Sequence, residues 1–282
     1  MFAFLQKLLP MKKLTRIFAF LAHSNLSVIK YPLIWLFNSI YEPNLNEARE
    51  NNLKDYSSLN DFFIRKIKEE SRTIDKDIHQ IGSPVDGVIS KFGPIKEGQL
   101  IQAKGINYFL EDLVSSDSEA KKFKNGYFVT IYLSPKDYHR IHAPYGGKVY
   151  LTEHIPGSLF SVNESSQKSV QSLYAINERT LIGLKNKSFS FMLVNVGAAI
   201  VGNIVPYWYN EKLNEFENII KSWKIGPEKN LKLVEKGQEV AFFQMGSTVI
   251  LLFEEKLNLN SDYLEELKPV KLGETLFKLK NG

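Results

Sequence analysis

The spacing of apolar residues changes period once along the chain. Within residues 11–21, Met11, Leu14, Ile17, Phe18 and Leu21 recur at helical intervals, with Lys12 and Arg16 opposite them, which predicts an amphipathic helix. A second apolar stretch occupies 31–37. Neither run approaches the ~20 apolar residues of a spanning helix, so two helices lying in a membrane interface are expected. After a polar stretch over 42–57, Ser58-Leu59-Asn60-Asp61 resembles a capping box opening a short helix through Phe62, Phe63, Ile64 and Ile67. From about residue 80 the pattern becomes short runs of β-branched and aromatic residues between Gly- and Pro-bearing turns. Residues 127–133, 191–196 and 248–253 read as strands, the last a buried one, and 211–223 reads as helical. Strands and helices do not alternate at the interval of a doubly wound sheet. The fold class expected is α+β: a mostly antiparallel β-sheet catalytic body over 71–282, with N-terminal amphipathic helices in 1–70.

Two internal similarities accompany this pattern. Residues 83–88 echo 143–149, and 234–240 is similar to the turns of lipoyl- or biotin-carrier domains. No lysine sits at a convincing carrier-hairpin tip, so the likeness bears on fold alone.

Composition sharpens the picture at two points. The chain has no cysteine, which excludes disulfides and thiolate chemistry and suits a reducing cytosol. Its net charge of +5 is local: residues 1–40 hold five Lys and Arg and no acidic residue, leaving 36 − 5 = 31 basic against 31 acidic residues beyond. Basic residues interleaved with Phe, Leu, Ile and Trp point to an anionic membrane surface rather than nucleic acid, with Lys12, Lys13, Arg16, Phe18 and Trp35 as the contacting residues. A signal peptide fits poorly, because the apolar run after Arg16 is short. Packing of both helices on the protein's own core is the remaining alternative.

Three segments carry candidate chemistry. Asp86 precedes Gly87, ordinarily a turn position. The segment Ser134 to Pro144 holds Asp137, Tyr138, His139, Arg140 and His142, so two of five histidines lie three apart among polar neighbours. That grouping suits acid–base work. A metal site completed by His154 is disfavoured, since no HExxH pattern or well-spaced carboxylate accompanies the pair. Gly246-Ser247-Thr248 leads into the last apolar strand and lacks the nucleophile-elbow pattern of the α/β-hydrolases.

Together these segments resemble the bacterial membrane-associated phosphatidylserine decarboxylase proenzymes. Phe62-Phe63-Ile64-Arg65, Gln102-Ala103-Lys104-Gly105, Tyr132 through His142, Pro156 through Asn163, Asn177-Glu178-Arg179, Val196-Gly197-Ala198 and Gly202 extend the likeness from about Asp61 to beyond Phe253. Met245 stands where Leu commonly precedes the Gly-Ser-Thr, a modest apolar change.

The resemblance implies that Asp86, His142 and Ser247 form a charge relay for self-cleavage between Gly246 and Ser247, with Asp86 orienting the His142 imidazole. Ser247 would become a covalent pyruvoyl group, the cofactor, and form a Schiff base with the substrate amine. Chains 1–246 and 247–282 would stay associated. His139 is implied in decarboxylation as proton donor or positioning group. Asp137 is expected to hold one histidine, and Arg140 to meet phosphate or carboxylate or else form a salt bridge. The implied substrate is phosphatidylserine and the product phosphatidylethanolamine. The implied location is peripheral, on the cytoplasmic side of the cell membrane, and a homodimer is expected from the family alone. The rival readings are a lipid hydrolase using the same three residues without self-cleavage, and a membrane-bound adaptor.

Overall fold

The computed structural model describes residues 11–198, 204–208, 223–225, 232–244 and 247–279. At its centre is an antiparallel sheet. Its main path runs Trp223–Ile225, Gly147–Ile155, Arg179–Lys185, Ser190–Gly197, Ser247–Phe253, Tyr127–Leu133, Gly87–Pro94 and Pro269–Val270, with Leu233–Val234 also paired to Gly147–Ile155. A three-stranded sheet of Ile204–Pro206, Glu239–Phe243 and Arg140–His142 adjoins the chemistry-bearing segment.

The Ser247–Phe253 strand is apolar on both sides because both faces are buried. Ile250 and Leu252 enter one cluster with Phe62, Phe63, Phe128 and Met192. Val249, Leu251 and Phe253 enter another with Ile131, Phe191, Leu193 and Phe277. Each such side chain contributes about 1.5–3 kcal/mol on burial. The strand is paired along its full length on both edges, to Tyr127–Leu133 and to Ser190–Gly197.

The N-terminal helices span Met11–Ala22 and Ser27–Tyr41. Ala22, Ile34 and Phe37 belong to the same cluster as Phe62 and Phe63. Ser58 caps the Leu59–Phe63 helix by accepting the Asp61 N–H at 3.1 Å, and that helix ends four residues before Ile67. Asp61 reaches back to the Ser57 N–H at 2.9 Å. The expected helix over 211–223 falls outside the described residues, except that Trp223 opens a short strand.

One side of the expected membrane face differs. Phe18 is partly buried against the core, while Ile17 (61% exposed) and Phe20 (70%) face outward, as does Trp35 (64%). The inward face is set by Thr15 and Ala22, both small enough for close approach. The side chains of Lys12, Lys13 and Arg16 lie outside the described residues. Among those described, no helix is long and apolar enough to cross a membrane.

Candidate active site

Register gathers the candidate residues. Ser247 is the first residue of its strand, opposite Leu133 on one side and Gly197 on the other. Leu133 ends its own strand, and the loop that follows carries Asp137, Tyr138 and His139 before Arg140–His142 pairs with Glu239–Phe243. The Phe243 N–H donates to the His139 carbonyl at 3.0 Å. The strand leading toward Ser247 is thereby tied to the histidine segment. Met245, Gly246 and the Ser247 side chain lie outside the described residues.

The two echoed segments lie against each other. The His142 N–H donates to the Pro84 carbonyl at 2.9 Å, and the Gly82 N–H to Pro144 at 3.1 Å. This contact draws the Asp86 turn toward His142.

His142 Nδ1 lies 2.8 Å from the Gly237 carbonyl, which can only accept, so Nδ1 carries the proton. Nε2 then accepts from the Tyr138 hydroxyl at 3.0 Å. Gly237 has φ +80, and a Cβ there would meet Ile74 Cγ2 at 2.5 Å, so only glycine presents this carbonyl. Burial lowers the His142 pKa from 6.5, against the charges of Glu239 and Asp86, which work the other way.

Asp86 does not hydrogen-bond His142. Its Oδ1 accepts from Arg72 Nε at 3.0 Å and from the Leu272 N–H at 2.8 Å, and its Oδ2 pairs with Arg72 Nη2. Arg72 also bridges to Glu47 at 2.7 Å. The carboxylate therefore acts on the imidazole through space, and the expected direct contact is replaced by one to the guanidinium.

His139 is fully buried, its ring 4.0 Å from that of Phe63 between centroids. Nδ1 donates to the backbone carbonyl of Asp137 at 2.8 Å, so the backbone of Asp137, rather than its carboxylate, holds a histidine. The Asp137 carboxylate accepts the Ser134 N–H at 2.7 Å, and burial raises its pKa. Burial pushes the His139 pKa down to about 3, opposed by the Asp137 carbonyl and helped by the Arg65 charge. His139 is therefore neutral, with an unpartnered lone pair on Nε2. It enters any reaction as a proton acceptor and gains donor character only afterward.

Arg140 is committed to the protein: it donates to the Ile64 carbonyl, the Tyr207 hydroxyl and Glu239. Of its two expected roles, the salt bridge is the one formed. His154 pairs with the Thr180 hydroxyl at 3.2 Å, within the Gly147–Ile155 strand. Two clefts reach this region. One of about 550 Å³ is lined by Tyr138, His142 and Glu239. One of about 260 Å³ is lined by Arg65, Arg72, Asp86 and Asp137, and Tyr138 borders it as well.

Sequence reasoning missed Arg72, the Gly237 carbonyl and the capping role of Tyr138. The first two act across long chain separations and leave no local pattern.

Ser247 thus opens a strand in the middle of the sheet, paired with the last residue before the loop that leads to the two histidines, and imidazoles of this kind suit proton-transfer chemistry. The family model described as phosphatidylserine decarboxylase matches residues 59–278, and the chain belongs to that family of carboxy-lyases. A phosphatidylserine decarboxylase proenzyme of Francisella tularensis subsp. novicida is 41% identical over 253 residues, covering 89% of this chain and 88% of its own length. One from Escherichia coli is 39% identical over 276 residues, covering 96% and 85% respectively.

Proposed function

We propose that the chain decarboxylates phosphatidylserine to phosphatidylethanolamine at a membrane surface, after cutting itself between Gly246 and Ser247 to turn Ser247 into a pyruvoyl group. The observation that carries this reading is the position of Ser247, first in the central strand and opposite the last residue before the histidine loop. His142 Nε2 is the basic nitrogen, because Nδ1 is committed to Gly237. It would take the Ser247 hydroxyl proton as that oxygen attacks the Gly246 carbonyl, once Tyr138 releases it. Asp86 stabilises the imidazolium that results through its charge.

The residues present suit the group. The orphaned lone pair of buried His139 supplies a proton-accepting atom without a structural task. A pyruvoyl group supplies the electron sink that lets carbon dioxide leave without an added cofactor. His139 Nε2 would take up a proton and return it near the reacting carbon, from a buried ring packed against Phe63.

A peripheral location at a membrane surface is supported by the exposed apolar side chains of the two N-terminal helices, among them Ile17, Phe20, Val28 and Trp35. The test of the processing reading is intact-mass spectrometry under denaturing conditions. The expected result is two chains, 1–246 and 247–282, the shorter one blocked at its start, with Ser247→Ala remaining whole. A wild-type chain that stays whole after incubation with anionic lipid would refute it.

A further inference from the structure

The buried arginines differ in how they are paired. Arg72 has two carboxylates, Arg140 has Glu239, and Arg179 donates to four carbonyls and the Ser115 hydroxyl. Arg65, only 5% exposed, is the exception among them. Its Nη2 donates to the carbonyls of Lys136 at 2.6 Å and Asp137 at 3.3 Å, while Nε and Nη1 have no partner. No carboxylate pairs with it among the described residues. A buried cation with two idle donors is costly unless something else completes it.

The Asp137 carbonyl that accepts from Arg65 also accepts from His139 Nδ1, so one oxygen joins the guanidinium to the neutral imidazole. Arg65 also lines the 260 Å³ cleft. We infer that Arg65 binds the phosphodiester of the lipid headgroup and so sets the serine portion beside His139, an assignment that rests on phosphatidylserine being the substrate.

The reaction distinguishes phosphate from carboxylate. Loss of carbon dioxide removes the carboxylate's charge, so a cation paired with it would stabilise the ground state more than the transition state. The phosphate keeps its charge throughout, and pairing it with Arg65 costs nothing in the chemical step. In phosphoserine esters a single methylene separates the bridging oxygen from the reacting carbon. A phosphate site must therefore lie close to the decarboxylation machinery, as Arg65 does to His139. Arg65 is a binding and positioning residue in this scheme, and the proton is moved by His139.

The test uses the full chain and glycerophosphoethanolamine, the water-soluble headgroup phosphodiester, with ethanolamine as the control lacking phosphate. By calorimetry, wild-type protein should bind the phosphodiester at least about tenfold more tightly than ethanolamine, and Arg65→Met should lose that difference. In the split enzyme, Arg65→Met should raise KM for phosphatidylserine roughly tenfold to a hundredfold, with kcat changed much less, and Arg65→Lys should recover part of the loss. A fall in kcat at unchanged KM would overturn the proposal, leaving Arg65 as a support for the 136–137 backbone. If Arg65→Met does not fold, the wild type decides: equal affinity for the two probes overturns the proposal by itself. Binding does not require the chain to be cut. Phosphate-dependent binding by a chain that never splits would sustain Arg65 and refute the pyruvoyl reading, whereas a split, active enzyme indifferent to phosphate would do the reverse.

Discussion

His139 and His142 stand three residues apart and are both held neutral by burial, yet their Nε2 lone pairs meet different surroundings. That of His142 is covered by the Tyr138 hydroxyl, and that of His139 is buried without a partner. On the proposed reading, His142 serves a single act of scission and His139 repeated turnover. His142→Ala should leave the chain whole, whereas His139→Ala should still split but lose roughly 10²–10⁴-fold in carbon dioxide release. Intact mass and a turnover assay separate the two, and full activity in split His139→Ala would refute the division.

The pH dependence follows from burial. If scission uses neutral His142, whose pKa burial lowers from 6.5, its rate should fall with pH at a midpoint below that of a free imidazole. A midpoint at or above 6.5 would contradict the buried assignment. Stability should follow the same sign. Both imidazoles gain protons on unfolding, so stability falls as pH drops below 6.5, and for His139 the fall continues toward about 3. Asp86, His139, His142 and Ser247 were proposed from a resemblance carried by their neighbours in sequence. Arg72 on Asp86 and Gly237 on His142 were not, because each contact joins segments with no shared periodicity.

Among the elements, the strands were the most legible. The run over 248–253 is apolar without alternation, and it lies between two cores that claim its odd and even residues separately. The helices were legible as helices and less so in their facing. Periodicity identifies an apolar stripe but not what covers it, and in the first helix Thr15 and Ala22 turn inward while Ile17 and Phe20 turn out. The second helix presents both kinds of position, with Ile34 and Phe37 in the core and Trp35 exposed. Deleting residues 1–40 would confuse the two roles, and point substitutions separate them. Trp35→Ser should weaken sedimentation with anionic liposomes about tenfold at unchanged melting temperature. Phe37→Ala should instead cost about 3–5 kcal/mol of stability in denaturant unfolding. Equal effects of both substitutions in both assays would show that the helix has no such division.

For the whole molecule, the central strand governs what scission can do. Residues 247–253 are held on both edges by seven paired positions and lie between the two cores, so a break before Ser247 removes one covalent link and none of these contacts. The two chains should co-purify and separate only in denaturant. A strand gripped along both edges is also poorly suited to arriving last. Were 1–246 and 247–282 translated as independent polypeptides, the shorter, of 282 − 246 = 36 residues, would have to enter between neighbours that had already met or collapsed without it. A gene divided at that codon should therefore yield little or no working enzyme, even with both products abundant. On the proposed reading, biosynthesis has to deliver one continuous polymer first, and the cut would come at the end of maturation, when the ribosome's product has already closed around its own future fragment.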